Sequence, residues 1–232
     1  MLRRALFIAA MAATPALGDV HVTGAQYAAP TDRYAHGILG DAIEFGTLVM
    51  ETAAGTRKVH LPVTHVFEDV APRLVDIDLD GINEVMVVES GLSVGARVAI
   101  YDGAGAVKAA TPYIGQRNRW YAPIGAADLD GDGHVEVAYI DRPHLAKTLR
   151  IWRYADGAFV EIAALAGVTN HRIGEPDIAG GIRDCGAGPE MIVATANWDQ
   201  LLAVQFDGAF TTVARGNDTT RPAFAKALAC GQ

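Results

Sequence analysis

Two nine-residue segments constrain this chain more than any other feature. Asp76-Ile77-Asp78-Leu79-Asp80-Gly81-Ile82-Asn83-Glu84 and Asp128-Leu129-Asp130-Gly131-Asp132-Gly133-His134-Val135-Glu136 share one pattern, 52 residues apart. Acids stand at positions 1, 3, 5 and 9, and glycine stands at position 6. Calcium takes hard oxygen ligands in a flexible shell. Three alternate carboxylates, a glycine for the bend and a closing acid supply such a shell. Position 7, Ile82 or His134, would add its backbone carbonyl. Acids packed this closely repel one another unless a cation neutralises them. The expected ligand sets are therefore Asp76, Asp78, Asp80, Ile82 and Glu84, and Asp128, Asp130, Asp132, His134 and Glu136, for two structural calcium ions.

An EF-hand shares the opening acids and the glycine but needs an acid at position 12 and flanking helices. Position 12 is Val87 in the first segment and Tyr139 in the second. The flanks, such as Glu84 to Val88 and Val135 to Ile140, are short β-branched runs that read as strands. A third copy, Ile182 to Met191, keeps acids at its third and ninth places, Asp184 and Glu190. It has Ile182 and Gly186 where the first and fifth acids would be, so tight calcium binding is not expected there.

Short apolar runs recur along the whole chain, and Asp102-Gly103, Asp156-Gly157 and Asp207-Gly208 are tight-turn signals. A period of this length with about four strands is the mark of propeller blades. Arginines keep a similar beat, at Arg33, Arg73, Arg119, Arg172 and Arg221, with intervals of 40, 46, 53 and 49 residues. The expected fold is all-β, a propeller-like array of about four to five four-stranded blades with the acidic loops between first and second strands. Closure would come from Arg221 to Ala229 meeting the strand around Val20 to Tyr27, which would remove the open sheet edge.

The two acidic loops, each followed at once by a strand, resemble the FG-GAP/VCBS repeats of integrin α-like β-propellers and of many exported bacterial proteins. The match is strong over Leu74 to Val88 and Ala126 to Ile140, and weaker over Ile182 to Ala196. The Phe-Gly and Gly-Ala-Pro signatures of the family are not clearly present. The resemblance implies a propeller in which calcium is architectural.

The N-terminus has the layout of a secretory signal peptide. Met1 to Arg4 is basic, Ala5 to Ala13 is apolar, and small residues end at Gly18. The expected organisation is a signal peptide over 1–18 and a single domain over 19–232, exported to the periplasm or secreted. Export places Cys185 and Cys230 in an oxidising compartment, and two cysteines allow one intramolecular bridge. The formal charge of −8 argues against a nucleic-acid surface. No later stretch is apolar for long enough to span a membrane.

No catalytic motif stands out, and no catalytic residue is assigned. There is no HExxH and no P-loop. His36, His65 and His171 are better read as surface or turn histidines. If first strands line an axial channel, Arg33, Arg119 and Arg172 would converge near one mouth with His36 and Trp120, a site for a small anion. The bland reading pairs each arginine with a nearby acid. The functional expectation is a monomeric binding or scaffold module whose partner is a protein, a glycan or a small anionic ligand. The alternative is a propeller hydrolase or lyase acting on a sugar or lactone at the channel mouth.

Overall fold

A computed structural model describes residues 20–231, so the signal-peptide segment lies outside the described residues. Among the described residues, seventeen strands form three antiparallel sheets, with one helix beside them. The first sheet contains β1 (Val22–Thr31), β2 (Glu44–Thr52), β3 (Gly55–His60), β4 (His65–Phe67), β5 (Arg73–Val75), β6 (Glu84–Gly91), β7 (Gly95–Tyr101) and β8 (Val107–Ala110). The second is a four-stranded meander of β9 (Tyr121–Ala127), β10 (Glu136–Asp141), β11 (Thr148–Ala155) and β12 (Ala158–Ala166). The third contains β13 (Val168–Thr169), β14 (Gly181–Asp184), β15 (Pro189–Thr195), β16 (Leu201–Phe206) and β17 (Phe210–Gly216), and is followed by helix α1 (Arg221–Leu228).

The repeat is visible as three equivalent meanders, β5–β8, β9–β12 and β14–β17. Each acidic or degenerate loop joins the first strand of its meander to the second, as expected. Each Asp-Gly pair joins the third strand to the fourth. At Asp156 and Gly157 both φ values are positive, 52° and 78°, which a two-residue hairpin of this hand requires. The sheets are three, of eight, four and five strands, and not four or five of four. The first sheet is larger because β1–β3 form their own hairpins and join β6 through β4.

Strand alternation sorts the apolar side chains. On β6, Met86 and Val88 face the central core, while Val85 and Val87 face a second cluster with Val22, Leu48, Met50 and Phe67. On β15, Met191 and Val193 join the central core, while Ile192 and Ala194 pack under α1 with Phe224 and Ala227. The central core therefore draws on all three sheets, and each fully buried large side chain stabilises it by about 1.5–3 kcal/mol.

The chain does not close through its C-terminal segment as expected. Arg221–Leu228 is a helix, with Pro222 in its first turn and alanines at 223, 225 and 227. Proline fits the first helical turn and alanine is the strongest helix former, so this segment prefers a helix to a strand. Its apolar Phe224 and Ala227 find a buried place on the third sheet instead. β17 remains an edge strand with mostly exposed residues.

Candidate functional site

The first acid of each loop builds the loop itself. Asp76 accepts the main-chain N–H groups of Asp80 at 3.1 Å and Gly81 at 3.0 Å. Asp128 accepts those of Gly131, Asp132 and Gly133 at 2.8, 3.1 and 3.0 Å. The ninth acid reaches back to the second position. Glu84 accepts from Ile77 N at 3.1 Å, and Glu136 accepts from Leu129 N at 2.9 Å. These bonds fix the first and ninth carboxylates within the loop.

Asp76, Asp78 and Glu84 bring one ligand oxygen each within 4.8 Å of one another, and so do Asp128, Asp130 and Glu136. That spacing fits oxygens arranged around one calcium ion at bond lengths of about 2.3–2.6 Å. Asp130 Oδ1 is buried without a hydrogen-bond partner among the described residues, an acceptor that a bound cation would satisfy. The fifth-position acids stand apart from these clusters. Asp80 and Asp132 are exposed, and each caps the main-chain N–H of the seventh residue, Ile82 or His134, at 2.8 and 2.9 Å. His134 is itself exposed, with Nδ1 3.2 Å from Asp132.

Both clusters also hold a basic side chain that the sequence pattern did not disclose. Lys108, on β8, pairs with Glu84 and lies 2.6 Å from Asp78. Arg153, on β11, lies 2.5 Å from Asp130 and 2.6 Å from both Asp132 and Glu136. Burial works against the Lys108 ammonium, but its bonds to Asp78 and Glu84 outweigh this and hold its pKa above the ordinary value. Burial raises the Glu84 and Glu136 carboxyls, and these basic partners oppose the rise. The repulsion among the acids is thus relieved by a tethered cation, which would compete with a metal ion for the same oxygens.

The third loop differs. Glu190 is held by Arg183 at 2.6 Å and by Arg215 at 3.0 Å, and Asp184 caps Gly186 N at 2.7 Å. Cys185 and Cys230 form the expected disulfide, with sulfurs 2.02 Å and Cα atoms 5.7 Å apart. It ties the loop to the residue that follows the α1 C-cap, Ala229.

The five arginines do not form a ring. Arg33 donates to the His65 carbonyl from Nε at 3.0 Å. Arg73 pairs with buried Asp69 at 2.5 Å. Arg172 stacks 3.9 Å over the Trp198 ring, and Arg221 binds Glu175 and Asp177, each at 2.6 Å. Arg119, His36 and Trp120 do come together, in a pocket of about 210 Å³ also lined by Ile38, His144 and Leu145. Arg33 and Arg172 are not among its lining residues.

This pocket contains chemistry that sequence reasoning missed. His36 Nδ1 lies 2.5 Å from Oε1 of fully buried Glu68, and Ser90 donates to the other carboxylate oxygen. His171, read from sequence as a surface or turn residue, is fully buried. Its Nδ1 lies 3.1 Å from His144 Nε2, and its Nε2 lies 2.9 Å from the Glu175 carbonyl. Burial drives the pKa of His171 down, and burial together with the nearby His171 pushes His144 down to about 4. A lone histidine in a sequence carries no sign of such a partner.

Among the described residues no helix is long and apolar enough to cross a membrane. No curated protein and no solved structure matches the chain. Residues 76–139, from the first acid of the first loop to the strand after the second, match the family model described as FG-GAP-like repeat. The chain therefore contains an FG-GAP-like repeat over that stretch, consistent with an FG-GAP/VCBS repeat-containing protein.

Proposed function

We propose that this protein is an exported, monomeric binding or scaffold module, a propeller-like assembly of FG-GAP/VCBS type whose two acidic loops hold structural calcium. The observation that carries the reading is the pair of three-carboxylate clusters at equivalent turns of two meanders. Each cluster sits where a bound ion would join the end of one strand to the start of the next, a place suited to rigidity. Asp76, Asp78 and Glu84 would hold one ion, and Asp128, Asp130 and Glu136 the other. A bound ion would supply charge neutralisation and a fixed loop shape, with the tethered Lys108 and Arg153 giving way. The disulfide favours an oxidising compartment. The partner is a protein, a glycan or a small anion.

Thermal unfolding with calcium and with chelator, on the native chain and on Asp128→Ala plus Asp130→Ala, tests this. Calcium at a hundredfold excess over its dissociation constant stabilises by about 2.7 kcal/mol. A melting temperature that is the same in calcium and in chelator removes calcium from the reading.

One observation favours the hydrolase or lyase alternative, the His36–Glu68 pair beside a pocket. An imidazole held by a buried carboxylate is a general-base arrangement. Turnover of a lactone or glycoside lost in His36→Gln would support it.

A further inference from the structure

The pocket around His36 is assembled from loops that are far apart in sequence. His36 and Ile38 come from the β1–β2 loop, Asn118 to Trp120 from the segment before β9, Arg142 to Leu145 from the β10–β11 loop, and Ile173 from the β13–β14 loop. Hydrogen bonds hold these loops in place. Trp120 Nε1 donates to the Glu68 carbonyl at 2.7 Å, Arg142 N to the Trp120 carbonyl at 3.0 Å, and Asn118 N to the Tyr34 hydroxyl at 2.9 Å. Gly174 N donates to the Ile38 carbonyl at 3.1 Å. A pocket held this way is formed before any ligand arrives.

Its polar atoms can be assigned one by one. His171 Nε2 faces a carbonyl, so it carries the proton, and the neutral ring presents a lone pair at Nδ1. His144 Nε2 must then donate to that lone pair, which leaves the lone pair of His144 Nδ1 as the polar atom of a pocket-lining ring. The depressed pKa values of both rings agree with the neutral forms. His36 has Nδ1 committed to Glu68, so Nε2 is its remaining polar atom. Arg142 is spent on Asp141, with bonds of 2.7 and 3.0 Å. Arg119 has no carboxylate partner among the described residues, its Nη1 donating only to the Asn118 carbonyl at 2.8 Å. The pocket thus offers one available guanidinium and two ring-nitrogen lone pairs, one of them on a ring held by a buried carboxylate, set among Ile38, Trp120, Pro143, Leu145 and Ile173.

We propose that this pocket binds a small hydroxycarboxylate of the hydroxy-acid or sugar-acid class. The ligand carboxylate meets Arg119, and ligand hydroxyls donate to the ring nitrogens His36 Nε2 and His144 Nδ1. The apolar wall receives the carbon skeleton, and the modest volume limits the ligand to about a single sugar ring. This rests on the binding-module reading, within which it names the ligand class, and it does not depend on calcium.

Calorimetric titration with D-glucuronate, D-gluconate and lactate tests it, with D-glucose and propionate as controls that lack the carboxylate and the hydroxyl. The expected result is saturable binding of at least one of the three acids, with both controls at least tenfold weaker. Arg119→Gln and His144→Phe should each weaken binding at least tenfold. Arg119 is partly exposed, so its variant keeps the fold, which the melting temperature checks. Arg172→Gln, outside the pocket, should bind as the native chain does. Binding that survives both pocket variants, or that is lost with Arg172→Gln, overturns the pocket while leaving a small-anion binder. Equal binding of glucose and glucuronate overturns the role of Arg119. If none of the acids binds, the inference and the small-anion part of the reading fail together, while the calcium melt still decides the scaffold part.

Discussion

Asp128–Glu136 and Ile182–Glu190 occupy the same place in their meanders, and each ends in a buried glutamate opposite the end of the first strand. Glu136 stands across from Ala127 and Glu190 across from Arg183. The second loop gathers three carboxylates around Arg153. The third has lost two acids, keeps its glutamate on Arg183 and Arg215, and carries a disulfide. The ninth acid with its basic partner is therefore the shared structural element. What is added to it differs, a cluster of carboxylates that could hold a metal ion in one loop and a covalent bridge in the other. The third loop lacks the acids at positions 1 and 5, and its Cys185 is tied to Cys230.

The largest effect should come from removing that tether. Cys185→Ser plus Cys230→Ser, or reduction, releases a loop whose ends are 45 residues apart. Chain entropy puts the loss at about 4 kcal/mol. Chemical denaturation with and without reductant measures it, and equal stabilities would deny that the bridge is the third loop's staple. Next, Glu136→Gln and Glu190→Gln should each cost about 2–3 kcal/mol in chelator, because each leaves a basic side chain without its buried carboxylate. Only Glu136→Gln should also reduce the response to calcium. If both variants respond to calcium alike, the loops are not distinguished by metal.

Arg153→Met sharpens the contrast from the other side. In chelator it should destabilise by about 1–2 kcal/mol, since the acids lose their neutralising partner, which is itself part-exposed. In calcium the loss should shrink and the affinity for the ion should rise, as measured by titration with a calcium indicator. An affinity unchanged by Arg153→Met would mean that the guanidinium and the ion do not compete. The smallest effect belongs to Asp184→Ala, about 0.5–1 kcal/mol from one loop hydrogen bond, with no change in the calcium response. A larger loss that calcium restores would place a metal in the third loop after all.

Much of the repeat was legible in the residues. The 52-residue offset located equivalent loops, the Asp-Gly pairs located equivalent hairpins, and two cysteines had one way to pair. These features are written in short stretches because a turn is set by the φ angles of two residues and an acidic loop by bonds that reach back at most seven residues. The number of sheets was not legible. An apolar alternation says that a strand has two faces, and it does not say whether β4 joins β2 to β6. The C-terminal helix was missed although Pro222 and the alternate alanines favour it, because a ring closure was expected to claim that segment.

By itself the sequence determined the acidic loops, the hairpins between third and fourth strands, and the disulfide, all of which follow from local chemistry or from elimination. Only the tertiary structure decided which cations face the acids, since Lys108 and Arg153 arrive from strands 24 and 17 residues away from the glutamates they meet. It also decided the pocket, where His36, Arg119 and His144 meet because loops of three sheets pack against a shared core. The physical reason is range. A hydrogen bond within a turn depends on its immediate neighbours, whereas convergence of side chains more than a hundred residues apart depends on how whole sheets bury their apolar faces.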